Sequence, residues 1–109
     1  MKKAYWILAG LLAVNGLALA QAPEEKGAAA FKENCALCHG DNGAGSDMGK
    51  ALKVKDLRSK EVQDESNDAL GKIVRDGKNN MPPFKSRLSD AQVDELIGYI
   101  RHLAQAPAH

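Results

Sequence analysis

The chain of 109 residues is poor in aromatic side chains, which make up 5% of it, and it has only two cysteines. Leu, Ile and Val are also sparse beyond residue 20. A chain of this size and composition makes one domain with a thin hydrophobic core, of the kind that needs a staple, a metal or a cofactor. Two cysteines exclude a framework of several disulfides. Excess charge is missing too: the formal net charge is +1, and removing Lys2 and Lys3 takes it to −1. So even a balance argues against nucleic acid or a polyanionic surface as partner. No strand-like alternation, hairpin signal or internal repeat occurs.

The first twenty residues have the layout of a secretory signal peptide. Lys2 and Lys3 precede an apolar run from Tyr5 to Ala20, which ends in Ala18-Leu19-Ala20, with small residues where a signal peptidase needs them. The expectation is cleavage after Ala20, leaving a domain of residues 21–109, exported to a bacterial periplasm and soluble there. The alternative is a retained N-terminal membrane anchor, for which the run is shorter than the roughly 20 apolar residues of a span. Cleavage takes away the only Trp and one Tyr, so the domain keeps Phe31, Phe84 and Tyr99 as its aromatics.

Three stretches of the domain carry helical patterning. The first runs from about Glu24 into Cys35-Ala36-Leu37-Cys38-His39, with Gly27, Phe31, Cys35 and Cys38 on one face. The second spans 66–76, with Ser66 as N-cap, an apolar stripe of Ala69, Leu70, Ile73 and Val74, and Gly77 as its stop. The third starts at Ser89, where Ser89 and Gln92 form a capping box and Leu88 and Val93 a hydrophobic staple. Its core stripe is Val93, Leu96, Ile97, Ile100 and Leu103. Residues 46–65 have no clear period; Leu52, Val54 and Leu57 could enter the core there, while Lys50, Lys53, Lys55, Arg58 and Lys60 stay in water. Pro82 and Pro83 with Asn79 and Asn80 forbid a regular element between the second and third helices.

The chemistry concentrates at residues 35–39, Cys-Ala-Leu-Cys-His. At about 100° per residue, Cys38 lies about 60° to one side of Cys35 and His39 about 40° to the other, so two thiols and one imidazole face the same way. A redox dithiol would want a βαβ setting, and a structural zinc site would want four ligands, with only His102 and His109 left to supply them. A disulfide closing so small a loop adds little and leaves His39 unexplained. Cys-x-x-Cys-His is the attachment signature of c-type haem: two thioether bonds from Cys35 and Cys38, and iron bound by His39. Export fits this reading, because the attachment is made outside the cytoplasm.

An iron with one histidine has a sixth position to fill. Met81 is the candidate, in the irregular loop after the second helix, 42 residues beyond His39. That separation lets the chain pass the haem edge and return on the other face, and Pro82 and Pro83 limit the entropy lost in presenting the sulfur. A neutral thioether favours Fe(II), so a His/Met pair raises the reduction potential. Met48, nine residues after His39, would have trouble reaching the opposite face, and His102 falls on the polar side of the last helix.

With these pieces in order, the chain resembles the class I c-type cytochromes, the small single-haem electron carriers. The likeness covers nearly all of residues 21–109: Gly27 and Phe31, then CALCHGDNGAG, IVRDGKNNMPPF and LSDAQVDELIGYIRHL. It implies an all-α, cytochrome c-like fold in which the N- and C-terminal helices cross, with loops and short helices wrapping one covalent haem c. It implies that Gly27 and Phe31 meet Leu96 and Tyr99 at that crossing. It implies a monomeric carrier rather than an enzyme, exchanging electrons with redox protein partners such as a membrane oxidoreductase, an oxidase or a periplasmic dehydrogenase. Two other roles stay open: a haem subunit dedicated to a periplasmic dehydrogenase or terminal oxidase, and an open-site haem sensor or peroxidase. One departure stands out. The family often has a proline in the loop after the histidine, whose carbonyl accepts the ring N–H, yet no proline occurs here between Pro23 and Pro82.

Overall fold

The computed structural model describes residues 22–105. The signal-peptide reading of residues 1–20 and His109 lie outside them. Six helices follow in order: α1 Pro23–Asn34, α2 Ala36–His39, α3 Asp47–Ala51, α4 Lys60–Gln63, α5 Asn67–Asp76 and α6 Asp90–Gln105. Among the described residues the only β pairing is an isolated bridge between Lys78 and Met81. None of these helices is long and apolar enough to cross a membrane. The all-α expectation holds.

α1 starts with Pro23 in its first turn, where the missing N–H costs nothing, and with Glu24 and Glu25 at the positive end of the helix dipole. It packs most extensively on α6, as the resemblance implied. Gly27 makes the crossing close: a Cβ there would overlap the Glu95 carbonyl oxygen and stand 3.0 Å from the Tyr99 Cβ. One turn on, Phe31 is 2% exposed and its ring meets Tyr99 at 5.2 Å between centroids, tilted by 55°. The buried stripe of α6 is Val93, Leu96, Ile97, Ile100 and Leu103, every residue the periodicity selects. Leu88 and Phe84 complete the core from the preceding loop.

The first helix does not run unbroken into His39 as its patterning predicts. The backbone leaves helical geometry at Cys35 (φ −121°, ψ −35°) and re-enters it at Ala36. Asn34 gives a reason: its side-chain amide donates to the Ala30 carbonyl at 2.9 Å, a local bond that competes with helix continuation. The interruption is small, because Cys35 N–H still donates to Phe31 and His39 N–H to Cys35.

Residues 46–65, patternless in sequence, hold two one-turn helices. The Ser46 and Ser59 hydroxyls accept from the amides of Gly49 and Val62, just as Ser66 accepts from Ala69 at the start of α5. Leu57 packs against the core and Val54 is half-buried, but Leu52 is 41% exposed and does not enter it. The four lysines are exposed, as expected; Arg58 is half-buried and folded back on Asp56.

Candidate functional site

Two closed loops bring the candidate residues together. The first follows α2. Gly40 turns the chain with φ +74°, and the amides of Gly45 and Ser46 donate back to the carbonyls of His39 and Cys38 at 2.7 and 3.0 Å. The Ser46 hydroxyl donates to the Leu37 carbonyl at 2.6 Å. α3 then packs against α2 so closely that a Cβ on Gly49 would overlap the Cys38 carbonyl. The Cys-x-x-Cys-His turn is thus gripped by its own downstream loop.

The second loop follows α5. Gly77 ends the helix with φ +77°, a left-handed conformation that favours glycine. Lys78 and Met81 then exchange two backbone hydrogen bonds, 3.1 and 2.9 Å, around a tight turn with Asn79 at φ +53°. The amides of Phe84 and Lys85 donate to the carbonyls of Val74 and Arg75 and so close the loop at its base. Met81 is therefore set by backbone bonds on both sides of it, and Pro82 and Pro83 stiffen the return.

Cys35, His39 and Met81 all line one cavity. Phe31, Leu96 and Ile100 form its wall from α1 and α6; Leu70, Ile73 and Val74 form it from α5, and Leu57 from the loop before α4. Cys38 is half-buried on the same turn and does not line the cavity. Met48 is 51% exposed and stands away from it. His102 is exposed and lies 3.1 Å from the Glu24 carboxylate, with Tyr99 stacked beside it. Of the three side chains weighed for the sixth position, Met81 alone lines this cavity.

The setting favours particular chemical forms. Burial pushes the Cys35 thiol up to about 11, so it is a neutral thiol at physiological pH. Burial also lowers the pKa of His39, which keeps its imidazole neutral and able to offer a nitrogen lone pair. His39 Nδ1 is buried with no hydrogen-bond partner, in keeping with the missing proline carbonyl. No disulfide joins Cys35 and Cys38, and among the described residues no group of three His, Cys, Asp or Glu side chains is arranged to hold a metal ion. The donors in the cavity are instead an imidazole and a thioether inside an apolar wall, with a thiol at the edge. That set suits a haem: soft and borderline donors for iron, apolar surface for the porphyrin, thiol for attachment.

The comparisons agree with this chemistry. The family model described as cytochrome C oxidase, cbb3-type, subunit III matches residues 22–100. Cytochrome c6 of Thermosynechococcus vestitus is 37% identical over 93 residues, 85% of this chain and 80% of the relative. Cytochrome c6 of Parathermosynechococcus lividus is 38% identical over 74 residues, 68% of this chain and 83% of the relative. The match to cytochrome c6 of a Synechococcus species is 39% over 74 residues and spans 64% of that protein. Among solved structures, the KustC0563 c-type cytochrome superposes with a TM-score of 0.67 at 26% identity, over 71% of this chain and 95% of the other. The chain belongs to the class I c-type cytochromes, electron-transfer proteins built around one covalent haem c.

Proposed function

We propose that this chain is an exported one-electron carrier in which Cys35 and Cys38 tether the haem as thioethers and His39 and Met81 bind its iron from opposite sides. The observation that carries this reading is the convergence of Cys35, His39 and Met81, from elements up to 46 residues apart, on one apolar cavity. Haem c, when bound, supplies the Fe(III)/Fe(II) couple. The protein's residues do the rest. His39 and Met81 would hold the iron in both oxidation states, so the electron would be gained or lost without a change of ligands. Met81, a soft neutral donor, favours Fe(II). Leu57, Leu70, Ile73 and Ile100 exclude water from the site. With both positions filled the protein is not an enzyme. Among the described residues, Leu37, Met48 and Leu52 are the large apolar side chains left exposed, Met48 and Leu52 in the segment that carries Lys50, Lys53 and Lys55, and they offer a contact face for redox proteins. Residues 1–20 serve as a cleaved signal for export to the periplasm, and the free carrier is a monomer.

The test is the visible spectrum of holoprotein from cells that attach haem, oxidised and reduced, with and without carbon monoxide. A low-spin c-type spectrum that ignores carbon monoxide supports the closed carrier. A high-spin spectrum that shifts with carbon monoxide or peroxide would mean an open iron and move the sensor or peroxidase reading forward. One observation favours a second role: the matching family model is described as a subunit of an oxidase. Purification from the native host under mild conditions separates the two. A free monomer supports the carrier, and a stable complex with a terminal oxidase or a dehydrogenase supports the dedicated subunit.

A further inference from the structure

The wall of the cavity has one weak side. Leu57 is the only wall residue outside a helix besides Cys35 and Met81, in the irregular segment before α4. Its backbone has no ladder to hold it. The Leu57 amide donates to the Gly43 carbonyl at 2.9 Å, and the Leu57 carbonyl accepts from Gln63 Nε2 at 2.7 Å. The same Gln63 amide nitrogen donates to the carbonyl of Ile100, another wall residue, at 3.3 Å. One side chain thus joins the loop side of the wall to the α6 side.

Arg101 fixes that amide. Its Nη1 donates to Gln63 Oε1 at 3.2 Å and to the Gln63 carbonyl at 2.9 Å. Its Nη2 donates to the Glu65 carbonyl and to Asn67 Oδ1, and its Nε to Asn67 Oδ1 at 3.1 Å. The planar fork is fully engaged. With Oε1 held by the guanidinium, Nε2 must face the two wall carbonyls. The flipped amide would set NH₂ against the guanidinium and oxygen against two carbonyls.

We infer that Gln63, oriented by Arg101, is a positioning residue for electron transfer: it latches Leu57 to Ile100 and so keeps water from the haem side of the wall. The inference rests on the proposed haem site. Without the latch the Leu57 carbonyl loses its partner and the loop can open. Water reaching the site favours the iron state that carries more charge, Fe(III), so the reduction potential falls.

The experiment is potentiometric titration and thermal unfolding of holoprotein bearing Gln63→Leu, Arg101→Lys or Val62→Ala. Val62 is buried in the same short helix and does not line the cavity, so it reports a loss of packing alone. Gln63→Leu should lower both Tm and potential, leaving the protein severalfold more oxidised at the wild-type midpoint. Arg101→Lys, which conserves the charge, should move the potential the same way. Val62→Ala should lower Tm and leave the potential in place. An unmoved potential in Gln63→Leu, or an equal shift in Val62→Ala, would overturn the latch. Should Gln63→Leu fail to load haem, Arg101→Lys decides by the same criterion. A wild-type chain with no covalent haem overturns the proposed function along with the latch, and shows in the first spectrum.

Discussion

A methyl group on Gly77 would stand 2.7 Å from the Met81 carbonyl oxygen and 3.0 Å from the Pro83 nitrogen. The backbone at Gly77 also has φ +77°. Two constraints therefore coincide where the chain turns to present Met81, and each calls for glycine. Gly77→Ala should cost stability through both, about 1–3 kcal/mol. Its more telling effect should be on the iron. With the turn displaced, the Met81 sulfur is held less well, and the oxidised protein should gain a high-spin fraction and a lower potential. Unfolding and absorption measured on one sample check both.

Gly27 and Gly98 make a matched pair. Gly27 sits where α1 presses on the Glu95 carbonyl; a Cβ on Gly98 would meet nothing within 4 Å. Gly27→Ala should destabilise the protein by about 1–3 kcal/mol, because backbone must move to admit the methyl. Gly98→Ala, exposed and in the middle of α6, should stabilise it by about 0.5–1 kcal/mol through helix propensity alone. Thermal unfolding of the two holoproteins should show opposite signs. The same sign would mean that the helix crossing is looser than the contact at Glu95 indicates.

These predictions also mark what was legible in the chain. The capping box of the last helix is present as written: Ser89 N–H donates to Gln92 Oε1 at 2.8 Å, and Gln92 N–H to Ser89 Oγ at 3.2 Å. Ser66, Gly77 and the α6 stripe could be read because cap chemistry and a 3.6-residue period are local signals. Short helices between the long ones are implied by the resemblance, but the places of α3 and α4 are not legible, because one turn is too short to show a period. Ser46 and Ser59 were their available sign, each capping the amide three residues on. The break at Cys35 depends on where the Asn34 amide points, which periodicity does not encode. Arg101 and Gln63 are 38 residues apart, and nothing in either neighbourhood announces the pairing. The same holds for Glu24 and His102: the polar face of the last helix was readable, its partner was not.

Composition makes a further prediction. The described core has only two buried aromatic members, Phe31 and Phe84, with Tyr99 partly buried against it. Much of what its aliphatic residues would cover is the cavity that holds Cys35, His39 and Met81. A Cys35→Ser/Cys38→Ser chain, which on the proposed attachment cannot tether haem, should lose a large part of its helical far-UV signal and its cooperative melt. A haem-free chain that melts cooperatively with full helix content would show that the polypeptide core suffices.

The central claim is that Met81 closes the iron. The most direct measurement is the near-red absorption of oxidised holoprotein, wild type against Met81→Ala. The account predicts a weak near-red band of Met–iron ligation in the wild type. In Met81→Ala that band is absent, the potential is lower and the iron binds carbon monoxide when reduced. A wild type without the band, or a variant that keeps it, would contradict the account and return the sixth position to another residue or to solvent.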